Sequence, residues 1–258
     1  MMIVIGIFMF VIGLCLGSFF NVVIYRLPLN LSVVKGRSMC PSCKHGLKAL
    51  DLIPVFSWVF LRGKCKYCGN KISPRYPSIE MITGCLFLLA FITQGYGLEM
   101  VLYAVFWSML LVVTMMDFDE MIIAESVLLV GTALCVGCLL ILGSPIFSHL
   151  LGGLVGFGVY LMIYLLAKAF YKKEAFGFGD VELMASIGLI LGLRGSIISL
   201  LLSFYIAVMG IALCKILGKT IGRHREIPFG PYMCIAAFLV SLYEQQIYDL
   251  YTRIILGQ

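Results

Sequence analysis

Long runs of apolar residues dominate the chain, and they constrain its fold more than any other feature. The runs lie at residues 3–24, 79–94, 98–116, 121–142, 148–170, 181–193, 195–217 and 229–243. A helix needs about 20 mostly apolar residues to cross a bilayer, where every backbone hydrogen bond must be made within the protein. The pattern therefore predicts an all-α polytopic integral membrane protein with about eight transmembrane helices, or six or seven if a short run is re-entrant.

The composition excludes the common soluble classes. Hydrophobic residues make up 62% of the 258 residues and charged residues only 12%, against about 25% charged in a soluble domain. This balance excludes an ordinary soluble enzyme, a disordered tail and a small disulfide scaffold. The one long polar stretch predicts three parts: a first transmembrane helix at 1–25, a loop domain at 26–78 and a multi-helix membrane domain at 79–258.

The basic residues predict which side of the membrane the loops occupy. With eight spans, nearly all Lys and Arg fall on one side, namely Arg26, Lys35, Arg37, Lys44, Lys48, Arg62, Lys64, Lys66, Lys71, Arg75, Lys168, Lys172, Lys173, Lys215, Lys219, Arg223 and Arg225. Only Arg194 and Arg253 fall on the other side. Positive charge marks the cytoplasmic face, so the loop at 26–78 is expected in the cytoplasm. The net charge of +6 then needs no nucleic-acid partner, although it also suits anionic lipid headgroups.

Four cysteines in this loop predict a metal site. Cys40 and Cys43 form one Cys-x2-Cys pair, and Cys65 and Cys68 form a second after 21 intervening residues. Two such pairs are typical of a four-thiolate zinc centre, and a reducing cytoplasm argues against disulfides. The loop has few apolar residues, so a metal would supply folding free energy. We interpret the site as structural zinc or a similar metal; free thiols or a redox pair are the alternative.

Acidic residues at span ends are the candidates for catalysis. Asp117 closes the third run and Asp180 opens the sixth, so the predicted topology places both at the cytoplasmic boundary. Two facing carboxylates share one proton, so one can act as general base on a water while the other polarises a peptide carbonyl. The alternatives are helix capping or, in a transporter, proton relay.

The residues around these aspartates are interpreted as supporting the site rather than as catalytic. Gly177 and Gly179 precede Asp180 and would let a substrate backbone approach closely. The remaining acids near the boundary are interpreted as interfacial and solvated, namely Asp119, Glu120, Glu125 and Glu182.

Other motifs are interpreted as structural. The glycines in the fifth run predict close helix packing, namely Gly152, Gly153, Gly156 and Gly158. The Cys-x2-Cys pair of Cys135 and Cys138 lies within an apolar run and is assigned to packing. The three histidines are interpreted as solvated side chains.

Five motifs in order resemble a known family, the prepilin peptidases. They are GSFFNVVIYRLP at 17–28, the paired Cys-x2-Cys knuckles, ISPRYPSIE at 72–80, GFGD at 177–180 and IPFGP at 227–231. The family's first catalytic motif typically reads DxDxxxxPD, whereas Ala124 and Glu125 stand here in place of Pro-Asp. The family typically has a lysine directly after Gly-Asp-Val, and Glu182 stands at that position here. The resemblance covers nearly the whole chain.

The resemblance implies an aspartic membrane peptidase with Asp117 and Asp180 as the catalytic dyad and Asp119 as the main rival for the first role. The implied substrates are prepilins or pseudopilins of type IV pilus, competence and secretion systems, cleaved at the cytoplasmic face of the bacterial inner membrane. Asp119, Glu120, Glu125 and Glu182 would receive the basic leader. Family members whose cytoplasmic loop carries these cysteines generally also methylate the new N-terminus with S-adenosylmethionine, so both peptidase and methyltransferase activities are expected.

Two other interpretations remain open from the residues. A polytopic transporter with a zinc-folded cytoplasmic cap would distribute its intramembrane charges along a path or show inverted repeats. A presenilin-type intramembrane protease would share the GxGD motif but would not account for the cysteine loop.

Overall fold

The protein is helical throughout the part that the structure describes. This computed structural model describes residues 1–171, 177–216 and 228–256. The helices are α1 (Met2–Arg26), α2 (Phe56–Phe60), α3 (Arg75–Gln94), α4 (Leu98–Glu120), α5 (Glu125–Ile141), α6 (Ile146–Tyr171), α7 (Phe178–Ile216) and α8 (Gly230–Leu256), with a 3-10 turn at Ala49–Leu52. Within these ranges the only β-type pairings are two isolated bridges in the loop. The all-α fold class is confirmed.

Five of the helices in the described ranges are long and apolar enough to cross a membrane. They are α1, α3, α4, α6 and α7, while α5 is apolar but shorter. The multi-pass architecture follows directly from these helices. The number of eight spans stays a prediction.

The chain divides into two compact units, Met1–Ala104 and Val105–Gln258, called here the N-terminal and C-terminal units. Within the N-terminal unit α1 packs along α3, and the segment 27–74, called here the cysteine loop, joins them. Within the C-terminal unit α7 is the central helix, with contacts to α5, α6 and α8.

Glycines set the close helix contact of the N-terminal unit. A Cβ at Gly13 would come within 2.7 Å of the Thr83 carbonyl oxygen, and one at Gly17 within 2.7 Å of the Glu80 Cα. Their spacing of four residues puts both on one face of α1. In an apolar solvent, helix association depends on such close backbone packing rather than on hydrophobic burial.

The glycines of α6 do the same in the C-terminal unit. A Cβ at Gly153 would lie 2.6 Å from the Leu189 Cγ, and one at Gly156 would lie 2.7 Å from the Met184 carbonyl oxygen. Gly152 faces Gly188. The predicted packing role is confirmed for these three glycines, whereas a Cβ at Gly158 would meet no atom within 4 Å.

The helix α7 is broken at Gly192, where φ is 77° and ψ is −179°. This conformation is essentially restricted to glycine. Side chains of α6 satisfy backbone groups beside the break: the Ser148 hydroxyl accepts from the Leu193 N–H (3.4 Å), and His149 Nδ1 donates to the Leu189 carbonyl (3.1 Å). The sequence interpretation of His149 as merely solvated is therefore wrong.

A second break lies in α8 at Tyr243, where φ is −130°. Arg194, two residues after the α7 break, contacts the segment that follows this second break. Its guanidinium lies 3.5 Å from the Glu244 carboxylate, 3.2 Å from the Gln245 side-chain oxygen and 3.6 Å from the centre of the Tyr248 ring. Arg194 thus adds polar contacts between α7 and α8 beside the breaks in both helices.

Several predicted boundaries differ from the observed ones. Residues 121–124 leave the helix, with Met121 at φ 54°, so α5 begins at Glu125 rather than at 121. The last run continues as helix past 243 to Leu256, because amphipathic residues extend it beyond the purely apolar stretch.

Some residues used in the sequence analysis lie outside the described residues. They are Lys172, Lys173, Lys219, Arg223, His224, Arg225 and Ile227.

Candidate active site and metal centre

Asp117 is a buried carboxylate in the last turn of α4, with 6% of its surface exposed. The backbone N–H of Gly230, at the start of α8, donates to its Oδ2 at 3.0 Å. A carboxylate in an apolar helix needs such a donor, because an unpaired buried charge is costly. Residues 113 positions apart in sequence therefore define one end of the site.

Asp180 is the second buried carboxylate, in the first turn of α7, with 8% of its surface exposed. The backbone N–H of Gly177 donates to it, and the negative charge of Asp117 acts on it electrostatically. The buried thiol of Cys234 lies within electrostatic range of both carboxylates. The structure thus brings the two predicted aspartates to one place in the C-terminal unit.

The position of Gly230 depends on aromatic packing around its neighbour Phe229. The Phe229 ring lies 5.4 Å from that of Phe204 and 6.3 Å from those of Tyr160 and Tyr232. Tyr160 is fully buried and shares a hydrogen bond of 2.9 Å with the Ser203 hydroxyl. This cluster holds the turn into α8, whose first N–H reaches Asp117.

Two further acids on the same helices, Asp119 and Glu182, are more exposed than the two aspartates. Asp119 is exposed, two residues beyond Asp117 on α4, and Glu182 is half-buried on α7, with the charge of Glu125 acting on it. Two neighbouring carboxylates such as Glu182 and Glu125 together attract a cationic group.

The two glycines of the GFGD motif have different surroundings. Gly177 is exposed beside Asp180. A Cβ at Gly179 would lie 3.0 Å from the Ile123 Cβ, so the glycine at that position makes room for the α4–α5 connection. A substrate-contacting role for either glycine stays a prediction.

The four predicted metal ligands come together in the cysteine loop. The sulfurs of Cys40, Cys43, Cys65 and Cys68 all lie within 4.8 Å of one another, and the Cys40 and Cys68 sulfurs are 4.0 Å apart. Each pair sits in a small hairpin, closed by the bridges Met39–Gly46 and Lys64–Lys71.

This arrangement fits a tetrahedral zinc ion. Zinc–thiolate bonds of about 2.3 Å place ligand sulfurs slightly under 4 Å apart, close to the observed spacing. The backbone amide of Cys43 lowers the pKa of the Cys40 thiol to about 6, against the opposing effect of burial. The Asn70 backbone lowers the pKa of Cys68, but desolvation and the neighbouring thiols outweigh it and raise that pKa to about 11. The thiolate is the form that binds metal. The cluster can therefore hold a metal ion.

Comparisons with known proteins identify the family of the chain. The Bacterial Peptidase A24 N-terminal domain matches residues 11–94, and the Type IV leader peptidase family matches residues 104–213. The chain belongs to the type IV leader peptidase family. It is therefore a multi-pass membrane peptidase by family, and the comparisons give the transporter interpretation no support.

Relatives in the type IV leader peptidase family match over most of the chain. A prepilin leader peptidase/N-methyltransferase of Bacillus subtilis is 34% identical, covering 96% of this chain and 98% of the relative. One of Aeromonas salmonicida is 33% identical, covering 96% and 94%. One of Myxococcus xanthus is 38% identical, covering 83% of this chain and 64% of the relative. No solved structure gives a significant match.

Sequence reasoning missed three residues of the aspartate site. Sequence reasoning places Gly230 only within a motif and gives neither Cys234 nor Tyr160 a role at the site. The motif IPFGP was the one available signal for Gly230. Burial of Cys234 and Tyr160 against the site depends on tertiary packing, which a periodic apolar pattern does not reveal.

Proposed function

We propose that this chain is a membrane aspartic endopeptidase that removes the short basic leader from type IV prepilins and pseudopilins and then N-methylates the new N-terminus. The observation that carries the peptidase proposal is the convergence of Asp117 and Asp180, two buried carboxylates in electrostatic contact. The names of the relatives support the choice of substrate and the second activity.

The proposed hydrolysis needs only the two carboxylates and a water. One carboxylate takes a proton from the water, and the resulting nucleophile attacks the scissile carbonyl, which the other, protonated carboxyl polarises. The tetrahedral gem-diol then collapses as the leaving amine gains a proton. The Gly230 N–H fixes one oxygen of Asp117, which orients the carboxylate before the substrate arrives.

Asn variants of the two aspartates test this role. Asp117→Asn and Asp180→Asn keep the side-chain shape but remove the charge, and each is expected to abolish cleavage of a prepilin by the purified enzyme. Asp249→Asn, an exposed position on α8, is the matched control. Full activity in either dyad variant would refute the dyad. Loss in Asp119→Asn with activity retained in Asp117→Asn would transfer the first role to Asp119.

The leader's positive charge is proposed to meet the acids beside the dyad, Asp119, Glu120, Glu125 and Glu182, with Gly177 and Gly179 beside the scissile bond. Charge reversal in Glu182→Lys should raise the KM for the prepilin, because it replaces attraction by repulsion. Unchanged cleavage kinetics would discard this docking role.

The remaining assignments follow from charge and ligand chemistry. We propose a structural zinc ion at the four cysteines, a location in the bacterial inner membrane and an active site facing the cytoplasm, as the basic loops favour. The proposed parts are the first transmembrane helix at 1–25, the metal-bound loop domain at 26–78 and the peptidase domain at 79–258. S-adenosylmethionine is the proposed methyl donor.

A further inference from the structure

The short helix α2 is fixed to the rest of the cysteine loop through one of its faces. The Trp58 indole N–H donates to the Ile72 carbonyl at 3.0 Å, and a Cβ at Gly63 would lie 2.9 Å from the Trp58 ring. Trp58 and Glu80 also line a cavity under the cysteine loop. This face of α2 therefore points into the N-terminal unit.

The opposite face of α2, called here the exposed face, consists of Phe56, Val59 and Phe60. All three side chains are more than half exposed, and Phe60 is 80% exposed. Their spacing of three and four residues places them side by side on one face of a helix. The 3-10 turn at Ala49–Leu52 contacts α2 and adds Leu50, which is 77% exposed. Single exposed apolar residues are common, but a contiguous group marks an interaction site.

Hydrogen bonds hold the start of α2 beside the two long helices of the N-terminal unit. The Val55 N–H donates to the Glu80 Oε2 on α3 at 2.7 Å, and the Ser18 hydroxyl on α1 donates to the same carboxylate. Glu80 follows the start of α3 by five residues, and Ser18 precedes the end of α1 by eight, which correspond to about 7 Å and 12 Å along the helices. Because α1 and α3 are long and apolar enough to cross a membrane, this attachment favours a position of α2 at the lipid boundary rather than in bulk water.

The charges of the segment suit the surface of an anionic bilayer. Residues 49–61 contain one charged residue, Asp51, whose Oδ2 accepts hydrogen bonds from the Tyr67 hydroxyl (2.8 Å) and the Lys48 amide (3.0 Å). Exposed basic side chains flank the segment, Lys48 on one side and Arg62 on the other. An apolar face with aromatic residues, bordered by Lys and Arg, is typical of helices that lie in the membrane surface. Each cation near that surface is attracted by anionic headgroups.

The connection to α1 and α3 makes insertion of so short a helix feasible. A helix of five residues is too short to be stable alone in water or to bind a membrane by itself. Here α1 and α3 keep it beside the bilayer, which gives it a high effective concentration there. A small free energy from the exposed face is then sufficient for insertion.

The flanking cations favour lipid over a protein as the occupant of the exposed face. In a two-fold pair of chains this face would meet itself, which would bring Lys48 and Arg62 close to the same cations of the second copy. The proposed prepilin leader is also basic, so the two cations would repel it. The phosphates of anionic lipids have the opposite sign.

We propose that the exposed face of α2 inserts into the leaflet on the loop's side of the membrane, an inference that rests on the membrane location of α1 and α3 and on neither the dyad nor the metal. Acyl chains cover Phe56, Val59 and Phe60, and anionic headgroups pair with Lys48 and Arg62. The cysteine loop is thereby held on the membrane surface.

Quenching of tryptophan fluorescence by brominated lipids tests this position in the purified full chain, reconstituted in vesicles that contain phosphatidylglycerol. Phe60→Trp adds an indole to the exposed face. Asn70→Trp adds one at an exposed position of the hairpin closed by the Lys64–Lys71 bridge and is the matched control. The signal of the unaltered chain, which has two tryptophans, is subtracted.

Lipid brominated high on its acyl chains should quench most of the fluorescence added at residue 60, since a surface helix buries its apolar face about 5–10 Å deep. It should quench little of the fluorescence added at residue 70, and aqueous iodide should give the opposite result. Quenching at residue 60 by iodide and not by brominated lipid would overturn the inference. So would equal lipid quenching at residues 60 and 70.

The headgroup contact has a test of its own. Combining Lys48→Gln and Arg62→Gln with Phe60→Trp should reduce the lipid quenching in vesicles that contain phosphatidylglycerol and leave it unchanged in pure phosphatidylcholine. The backbone amide of Lys48, which donates to Asp51, is retained in this variant. Equal quenching with and without the two cations in both kinds of vesicle would overturn the pairing with anionic headgroups.

Photocrosslinking in native membranes separates lipid from protein occupants and does not depend on reconstitution. A benzophenone amino acid introduced at residue 60 should give lipid adducts, detected by mass spectrometry of the chain. Adducts to a second copy or to a prepilin in place of lipid would overturn the inference. Neither measurement depends on cleavage, so a failure here leaves the peptidase proposal standing, and an active Asp117→Asn variant would leave the lipid contact standing.

Discussion

Asp117 and Asp119 lie two residues apart at the same helix end, yet only Asp117 is buried. Two residues along an α-helix correspond to a rotation of about 200°. When one of the pair faces the helix bundle, the other must therefore face outward. A sequence pattern places both at the boundary but does not show which side of α4 meets α7 and α8.

Gly230 is the residue whose substitution most directly tests the geometry around Asp117. A Cβ there would lie 2.6 Å from the Asp117 Oδ2, so Gly230→Ala must displace the carboxylate or the turn. We expect kcat for prepilin cleavage to fall about 100-fold, the effect of a misplacement of roughly 1 Å, with KM nearly unchanged. Gly158→Ala, where a Cβ meets no atom within 4 Å, is the control; equal kcat in both variants would contradict the assignment.

At the scale of elements, the glycines of α6 set the distance to α7. Gly156→Ala would bring a Cβ to 2.7 Å from the Met184 carbonyl oxygen, and backbone atoms have little freedom to move. We expect a loss of about 1–3 kcal/mol in the free energy of unfolding, as for overpacked cores, measured by denaturation in detergent. Gly137→Ala on α5, with open space around its Cβ, should leave stability unchanged; a similar loss there would point to a general effect of added methyl groups.

The cysteine loop is the element to which the proposed metal would supply folding free energy. In the described part of the loop, burial of hydrophobic side chains is confined to Cys40 and Cys65. We expect Cys43→Ser, or a strong chelator, to lower the zinc content from about one ion per chain and to make residues 38–72 sensitive to protease. Cys85→Ser, an exposed cysteine on α3, should retain the metal. A protease-resistant loop without zinc would refute a structural role for the metal.

The helices themselves were largely predictable, because each apolar run forms its hydrogen bonds internally and depends little on its neighbours. Their ends were less so. The boundary between the runs at 181–193 and 195–217 marked a real interruption, but the structure places it at Gly192, where side chains of α6 satisfy the freed backbone groups. Because these hydrogen bonds come from α6, the sequence around Gly192 carries no signal that predicts them.

At the scale of the whole molecule, the distribution of Lys and Arg predicts the topology. Eight spans with a cytoplasmic loop at 26–78 place residues 95–97 and the C-terminus outside. We expect alkaline phosphatase, which needs disulfides formed outside the cytoplasm, to be active when fused after Tyr96 or Gln258 and inactive after Asn70. Green fluorescent protein should give the opposite pattern. A fluorescent C-terminal fusion would contradict eight spans.

The sequence by itself determined the membrane class, the four cysteines and the set of acids from which the site is built. The length of an apolar run and the spacing of cysteine ligands are local properties of the chain, so both can be determined without knowledge of the tertiary packing. Only the tertiary structure decided that Asp117 and Asp180 are buried together, that Gly230 orients one of them, and that Glu80 lines a cavity under the cysteine loop. Each of these depends on segments far apart in the chain, and their convergence is set by which helix faces pack rather than by any periodicity along one helix.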